Sequence, residues 1–191
     1  MQMARLALDY DLARVPLAIA SASRSCGLPE QQSLAGMQLE VGVRSGKIKA
    51  VDEVRSFLAK NPENANALCA WSLLSYQQGS WTEAALFAAR ASAAGRGAAS
   101  KLLEGLSAQQ LGESSMAEAA FREVLRLDPQ NADATYDLAL VAHGRRDYRH
   151  AREGYLAALR IRPNYPEARY NLAVLAHSVG ADNEACLLYT S

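Results

Sequence analysis

The sequence predicts an all-α chain: a solenoid of antiparallel helix hairpins stacked into a superhelix. Three observations carry that prediction. Pro129 and Pro163 close runs of the same character, AFREVLRLDPQNADA at 120–134 and GYLAALRIRPNYPEA at 154–168. A second marker runs beside the first, because Gly112, Arg146 and Gly180 follow one another at the interval that separates the two prolines, and Gly79 precedes Gly112 by one position less. Half of the residues are apolar while only 7% are aromatic, and alanine dominates after residue 60; this favours closely packed helices over bulky cross-strand pairs.

Taken in order, residues 1–30 form a poorly defined helical lead-in or degenerate repeat. An apolar pattern is interrupted by Pro16, and Gly27 and Pro29 break the chain. Residues 31–64 read as a degenerate hairpin with Gly46 near its turn and Pro62 at its end, one position short of two such intervals before Pro129. Hairpins then follow at 65–97, 98–131 and 132–165, with helices predicted over 65–78, 81–94, 98–111, 114–127, 132–145 and 148–161. Residues 166–185 supply a further first helix, predicted over 166–179, and the start of an incomplete unit. Asn64 and Asn131 are suited to cap the helices that follow them, and Pro166 suits a first helical position. Glycine at the marker positions fits the left-handed residue that ends a helix; Arg146 departs from that rule, and a different turn is expected there.

The match to a known family becomes specific at this point. In 132–165, Leu138, Ala139, Ala142, Tyr148, Ala151, Tyr155, Ala158 and Pro163 fall where the tetratricopeptide-repeat family places its small and large packing residues. Gly105, Ala108, Gly112, Ala117, Phe121 and Pro129 do the same in 98–131. Residues 65–97 give a weaker copy, with Trp71, Gly79, Trp81, Ala84, Ala88 and Ala91, and Arg96 in place of proline. The chain thus resembles that family over about residues 31–180. The resemblance implies a scaffold that holds a protein or peptide partner, without catalysis and without a cofactor.

Composition points the same way. Twenty basic residues balance twenty acidic ones, so nucleic acid is not expected as a partner. Residues 145–162 hold six arginines against Asp147 and Glu153, as a solvated outer face or an anion-holding patch. Three cysteines without a CxxC pair indicate neither a disulfide framework nor a thiolate metal site. His143, His150 and His177 have no metal-ligand spacing, and the polar run at Ser21, Ser23, Ser25 and Cys26 lacks a base. No phosphate-binding glycine motif occurs, so catalytic, cofactor and metal residues are all expected to be none. The longest early apolar stretch, Val15 to Ala22, is too short for a membrane span. Cytoplasm is the default expectation, and a missing true N-terminus would reopen a periplasmic or membrane-associated location.

In the family the ligand groove is lined by first helices. Carried over, that places Asp133, Tyr136, Asp137, Leu140, His143, Tyr170, Asn171, Val174 and His177 on a peptide-binding surface, with Asn66, Cys69, Ala70, Leu73, Tyr76, Leu102, Leu103 and Gln110 upstream. Such a surface suits an extended or helical peptide with apolar anchors and a basic group near Asp133 and Asp137. Tyr136 and Tyr170 have a competing role in hairpin packing, and the recurrence of His143 as His177 in the next unit equally fits simple duplication of a surface residue. The carboxylate clamp of some family members is disfavoured, since Ala70, Leu103 and Asp137 stand at its positions and only Asn171 matches. The alternative function is the substrate-recruiting repeat region of a larger enzyme of glycosyltransferase type, or of a pilus or secretion assembly protein. The final residues 186–191 end in LLYTS, which resembles translated sequencing-adapter sequence, and a truncated bacterial or metagenomic fragment is the expectation. Arginine outnumbers lysine sixteen to four, in keeping with a GC-rich genome.

Overall fold

A computed structural model describes residues 28–46 and 51–178. These form nine α-helices and, among the described residues, no strand. They are α1 (Leu28–Arg44), α2 (Val51–Lys60), α3 (Ala65–Gln77), α4 (Trp81–Ala93), α5 (Gly97–Gln110), α6 (Ser114–Leu127), α7 (Ala132–Gly144), α8 (Tyr148–Ile161) and α9 (Pro166–Ser178). From α3 onward each helix starts and stops within two residues of its predicted place. The lead-in at 1–27, Gly180, and the tail at 186–191 lie outside the described residues.

The chain divides into two compact units, Met1–Ser107 and Ala108–Ser191. In the first, α3 packs against α1, α2 and α4. Its core is built mainly from small and apolar residues, with Ala67, Leu68, Ala70, Ala84 and Ala88 fully buried. Glu40 on α1 is buried too, and the fork of Arg96 reaches it from behind α4: Nε donates to Oε2 at 3.0 Å and Nη2 to Oε1 at 2.7 Å. Where the repeat pattern has proline, Arg96 ties the end of the hairpin back to α1. Cys69 donates its thiol to the same carboxylate, and burial, reinforced by the charge of Glu40, raises its pKa to about 11. At neutral pH this thiol stays protonated and unreactive.

In the second unit α7 lies against α6 and α8, and α9 packs on α8. The core is built from Tyr136, Ala139, Ala151, Tyr155, Ala158, Tyr165 and Leu172. Each large side chain there contributes on the order of 1.5–3 kcal/mol through burial. The alanines set how closely the helices meet. At the tightest point even alanine is too large: a Cβ built on Gly154 would lie 2.7 Å from Ala139 Cβ.

Local chemistry fixes the helix ends. Asn64 Oδ1 accepts from Ala67 N, and Asn131 Oδ1 accepts from Ala134 N, both at 3.0 Å. These two caps are identical in kind and stand at equivalent places in the two units. At the other ends the turn at Arg146 is not the different turn that the sequence predicts. Arg146 takes φ 62°, beside 78° at Gly79 and Gly112. Its N–H donates to His143 O and that of Asp147 to Ala142 O, both at 2.9 Å, the pattern that Gly79 and Ser80 make with Tyr76 and Ser75. The two backbone bonds hold an arginine in the left-handed region against a penalty of about 1–2 kcal/mol.

Two stability changes follow, each read from urea unfolding of the purified chain. Arg146→Gly is expected to stabilise by about 0.5–1 kcal/mol, the left-handed penalty less the glycine entropy cost. Gly154→Leu is expected to destabilise by about 1–3 kcal/mol through overpacking against Ala139, although leucine is the better helix former.

Candidate functional site

The nine residues of the predicted peptide-binding surface belong to the second unit, on α7 and α9, while most of those predicted upstream lie in the first. Along α7, Asp133, Tyr136, Asp137, Leu140 and His143 recur at helical spacing on one face; Tyr170, Asn171, Val174 and His177 do so along α9. One direct bond brings the two sets together: Asn171 Nδ2 donates to Tyr136 Oη at 2.6 Å. The first helices of successive hairpins therefore meet at these positions.

The α7 set is deeply engaged. Asp133 is buried and receives the guanidinium of Arg162 as a fork, Nη1 to Oδ1 at 3.0 Å and Nη2 to Oδ2 at 3.1 Å. Tyr165 Oη donates to the same Oδ1 at 2.8 Å, and the Arg162 guanidinium stacks over the Tyr165 ring at 4.8 Å. The sequence expectation sets this carboxylate against a basic group on a ligand; its charge is instead matched within the hairpin. Arg162 and Tyr165 are the partners that the sequence reading does not contain. Their signal lies in the residues on either side of Pro163, whose conformation returns the end of α8 to the start of α7.

Tyr136 is buried as well, with its ring 5.8 Å from Tyr155 and 5.0 Å from Tyr165. Of its two expected roles, packing is plain, and its hydroxyl still reaches Asn171. Asp137 is buried beside it. Further along, the half-buried His143 pairs through Nδ1 with Tyr155 Oη at 3.0 Å and meets the edge of Tyr148 at 5.9 Å. Burial, with Tyr136 and Asp137 close by, pushes the Tyr155 hydroxyl well above the usual phenol range. It stays protonated and keeps its proton for hydrogen bonding. Leu140 is half-buried between Tyr136 and His143 along the helix.

The α9 set is more open. Tyr170 is 55% exposed and His177 is exposed, while Asn171 and Val174 are half-buried. The surface thus grades from a buried, hydrogen-bonded floor on α7 to accessible aromatic, apolar and imidazole groups on α9. Its polar atoms are suited to orienting a chain and its apolar ones to anchoring it. Upstream, Cys69, Ala70, Leu73 and Tyr76 on α3 and Leu102 and Leu103 on α5 are buried, Asn66 is half-buried, and Gln110 is exposed. Among the described residues, no three His, Cys, Asp or Glu side chains come together as a metal site. No described helix is long and apolar enough to cross a membrane.

Replacing Asp133 tests its internal role. Asp133→Ala strands the Arg162 fork and the Tyr165 hydroxyl, and is expected to cost roughly 2 kcal/mol in urea unfolding, less than for a fully buried pair because Arg162 is partly exposed. Tyr170→Ala, at an exposed position, is expected to stay within about 0.5 kcal/mol of the parent.

Comparison with known proteins gives two positive findings. Residues 102–166 match the family model described as tetratricopeptide repeat. Among solved structures, the crystal structure of MamA protein superposes with a TM-score of 0.69 at 19% identity, covering 84% of this chain and 90% of that one. MamA from Desulfovibrio magneticus RS-1, residue 41 to its end, gives 0.65 at 14% identity, covering 95% and 93%. MamA MSR-1 gives 0.67 at 15%, covering 84% and 93%. At these identities the likeness is one of fold. No curated protein matches the sequence.

Proposed function

We propose that this chain, a tetratricopeptide-repeat protein, is a binding scaffold with no chemistry of its own, and that α7 and α9 hold a peptide segment of a partner protein. The observation that carries this reading is the bond from Asn171 to Tyr136, which joins two successive first helices one residue away from equivalent positions. Across that junction, residues one repeat apart agree in type: Tyr136 with Tyr170, Leu140 with Val174, His143 with His177. A peptide laid across both helices meets one set of groups twice, which suits an extended or helical ligand with regularly spaced apolar anchors. Asp133, Tyr136 and Asp137 form the floor, oriented by Arg162, Tyr165 and Asn171. Leu140, His143, Tyr170, Val174 and His177 make the contacts. With Asp133 already paired, the ligand is recognised mainly by its apolar anchors.

Anchoring pockets concentrate affinity, so a charge placed in one should weaken binding disproportionately. A peptide selected by display on the full chain is titrated against the parent, Leu140→Glu, Val174→Glu and an Arg149→Ser/Arg152→Ser control, with far-UV dichroism to confirm helicity. Each groove variant is expected to lose about 2 kcal/mol or more, and the control to bind as the parent does. Groove variants that bind unchanged while the arginine control fails would move the working surface to α8.

A further inference from the structure

Away from α9, the helices α6, α7 and α8 enclose a cleft of about 510 Å³. Its floor is small and apolar, with Leu138, Ala142, Gly154 and Ala157 partly open to solvent. The first unit contains the counterpart of this cleft. There α2, α3 and α4 enclose about 270 Å³, with Arg55, Leu58, Leu68, Trp71, Phe87 and Arg90 among the residues that line it. Moving each of these along the chain by the offset from Asn64 to Asn131 gives Arg122, Leu125, Thr135, Leu138, Gly154 and Ala157, and all six line the larger cleft. The helix caps themselves and the edge-on ring pairs Tyr76–Trp81 and His143–Tyr148 share that offset, so the two clefts are copies of one architectural place.

The copies differ in what fills them. In the first unit the chain supplies its own rings: Trp71 and Phe87 lie 5.8 Å apart, with Arg55 over the indole at 5.4 Å and Arg90 over the phenyl at 5.3 Å. In the second unit leucine and glycine stand where those rings would be, and the space is open. Gly154 cannot regain a side chain, because its Cβ would meet Ala139 at 2.7 Å. We infer that the α6–α8 cleft is a second docking site, and that it takes an aromatic side chain of a partner peptide in the place that Trp71 and Phe87 fill in the first unit.

The charges around the cleft define what flanks that ring. Glu118 is held by both Arg122, at 2.6 Å, and Arg145. Asp147 is bound to His150 at 2.6 Å, which holds its carboxyl below the usual range. Two exposed charges that line the cleft from α8 have no ion-pair partner among the described residues: Glu153, in the half of the cleft nearer Glu118, and Arg160, at the end of the helix. Since α7 and α8 are antiparallel, Arg160 sits beside Thr135 and Leu125 at the end of the cleft opposite Glu118 and Arg145. A carboxylate one helical turn from the aromatic residue meets that guanidinium. The ligand is therefore a peptide with an aromatic anchor and a carboxylate on the Arg160 side of it, and its site is distinct from the surface of α7 and α9.

The test uses the full chain and a fluorescein-labelled peptide carrying one phenylalanine with glutamates one helical turn to one side of it, read by polarisation at low and moderate salt. Two copies serve as comparisons, one with alanine for phenylalanine and one with lysines for the glutamates. The parent peptide is expected to bind at least about tenfold tighter than either copy. Leu138→Trp, which lends the cleft its own indole as Trp71 does upstream, should abolish the phenylalanine preference, and Arg160→Glu should shift preference toward the lysine copy. Ala157→Arg, restoring the counterpart of Arg90 at a partly open position, gives a second blocking variant should Leu138→Trp fold poorly. Leu140→Glu should leave this binding unchanged. Equal binding of the phenylalanine and alanine peptides would overturn the inference, as would parent-like binding by both blocking variants. Loss on Leu140→Glu alone would also overturn it, by assigning the peptide to the α7 and α9 surface.

Discussion

The close approach of α7 and α8 at Ala139 and Gly154 governs the rest of the second unit. Two helices meet with only the Ala139 methyl between them at that level, so the large residues are displaced to either side. On one side Tyr136, Tyr155 and Tyr165 pack as a core whose hydroxyls need partners once buried, and Asn171, His143 and Asp133 provide them. On the other, the absence of a side chain at Gly154 leaves the α6–α8 cleft open. One steric constraint thus produces both a polar, ordered floor and an unfilled apolar hollow.

The two units solve the same closing problem with different residues. In the first, Arg96 forks onto Glu40 of α1; in the second, Arg162 forks onto Asp133 of α7. An arginine near the end of each hairpin reaches back to an acid, on the hairpin's own first helix in the second unit and on α1 in the first. Its planar guanidinium suits this use, because two parallel hydrogen bonds fix direction as well as distance. Lysine in either place would keep the charge and lose the orientation.

Periodicity makes the helices legible from sequence. Asn64, Asn131 and Pro166 announce helix starts by chemistry that acts within a few residues, and the regular recurrence of the repeat places the rest. What local reasoning misses at Arg146 is conformational: the glycine position is recognisable, but two backbone bonds compel an arginine into the same turn. The residues on α7 are legible as a face and not as a network, since the partners of Asp133 lie far along the chain, beyond the turn and the whole of α8. The α6–α8 cleft is invisible in the sequence for a related reason. Leu138, Gly154 and Ala157 are ordinary one by one, and their meaning emerges only against Trp71, Phe87 and Arg90 in the other unit.

The Asp133–Arg162 pair also has a mechanical meaning. Asp133 opens α7 and Arg162 follows α8, so the pair closes one whole hairpin into a loop fastened at its neck. A pull transmitted along the chain enters at one of these residues and leaves at the other. Tension therefore bypasses the helices between them and falls on the guanidinium–carboxylate fork, reinforced by the stacked Tyr165 ring. While that clasp holds, α7 and α8 and the groups they display are shielded from load.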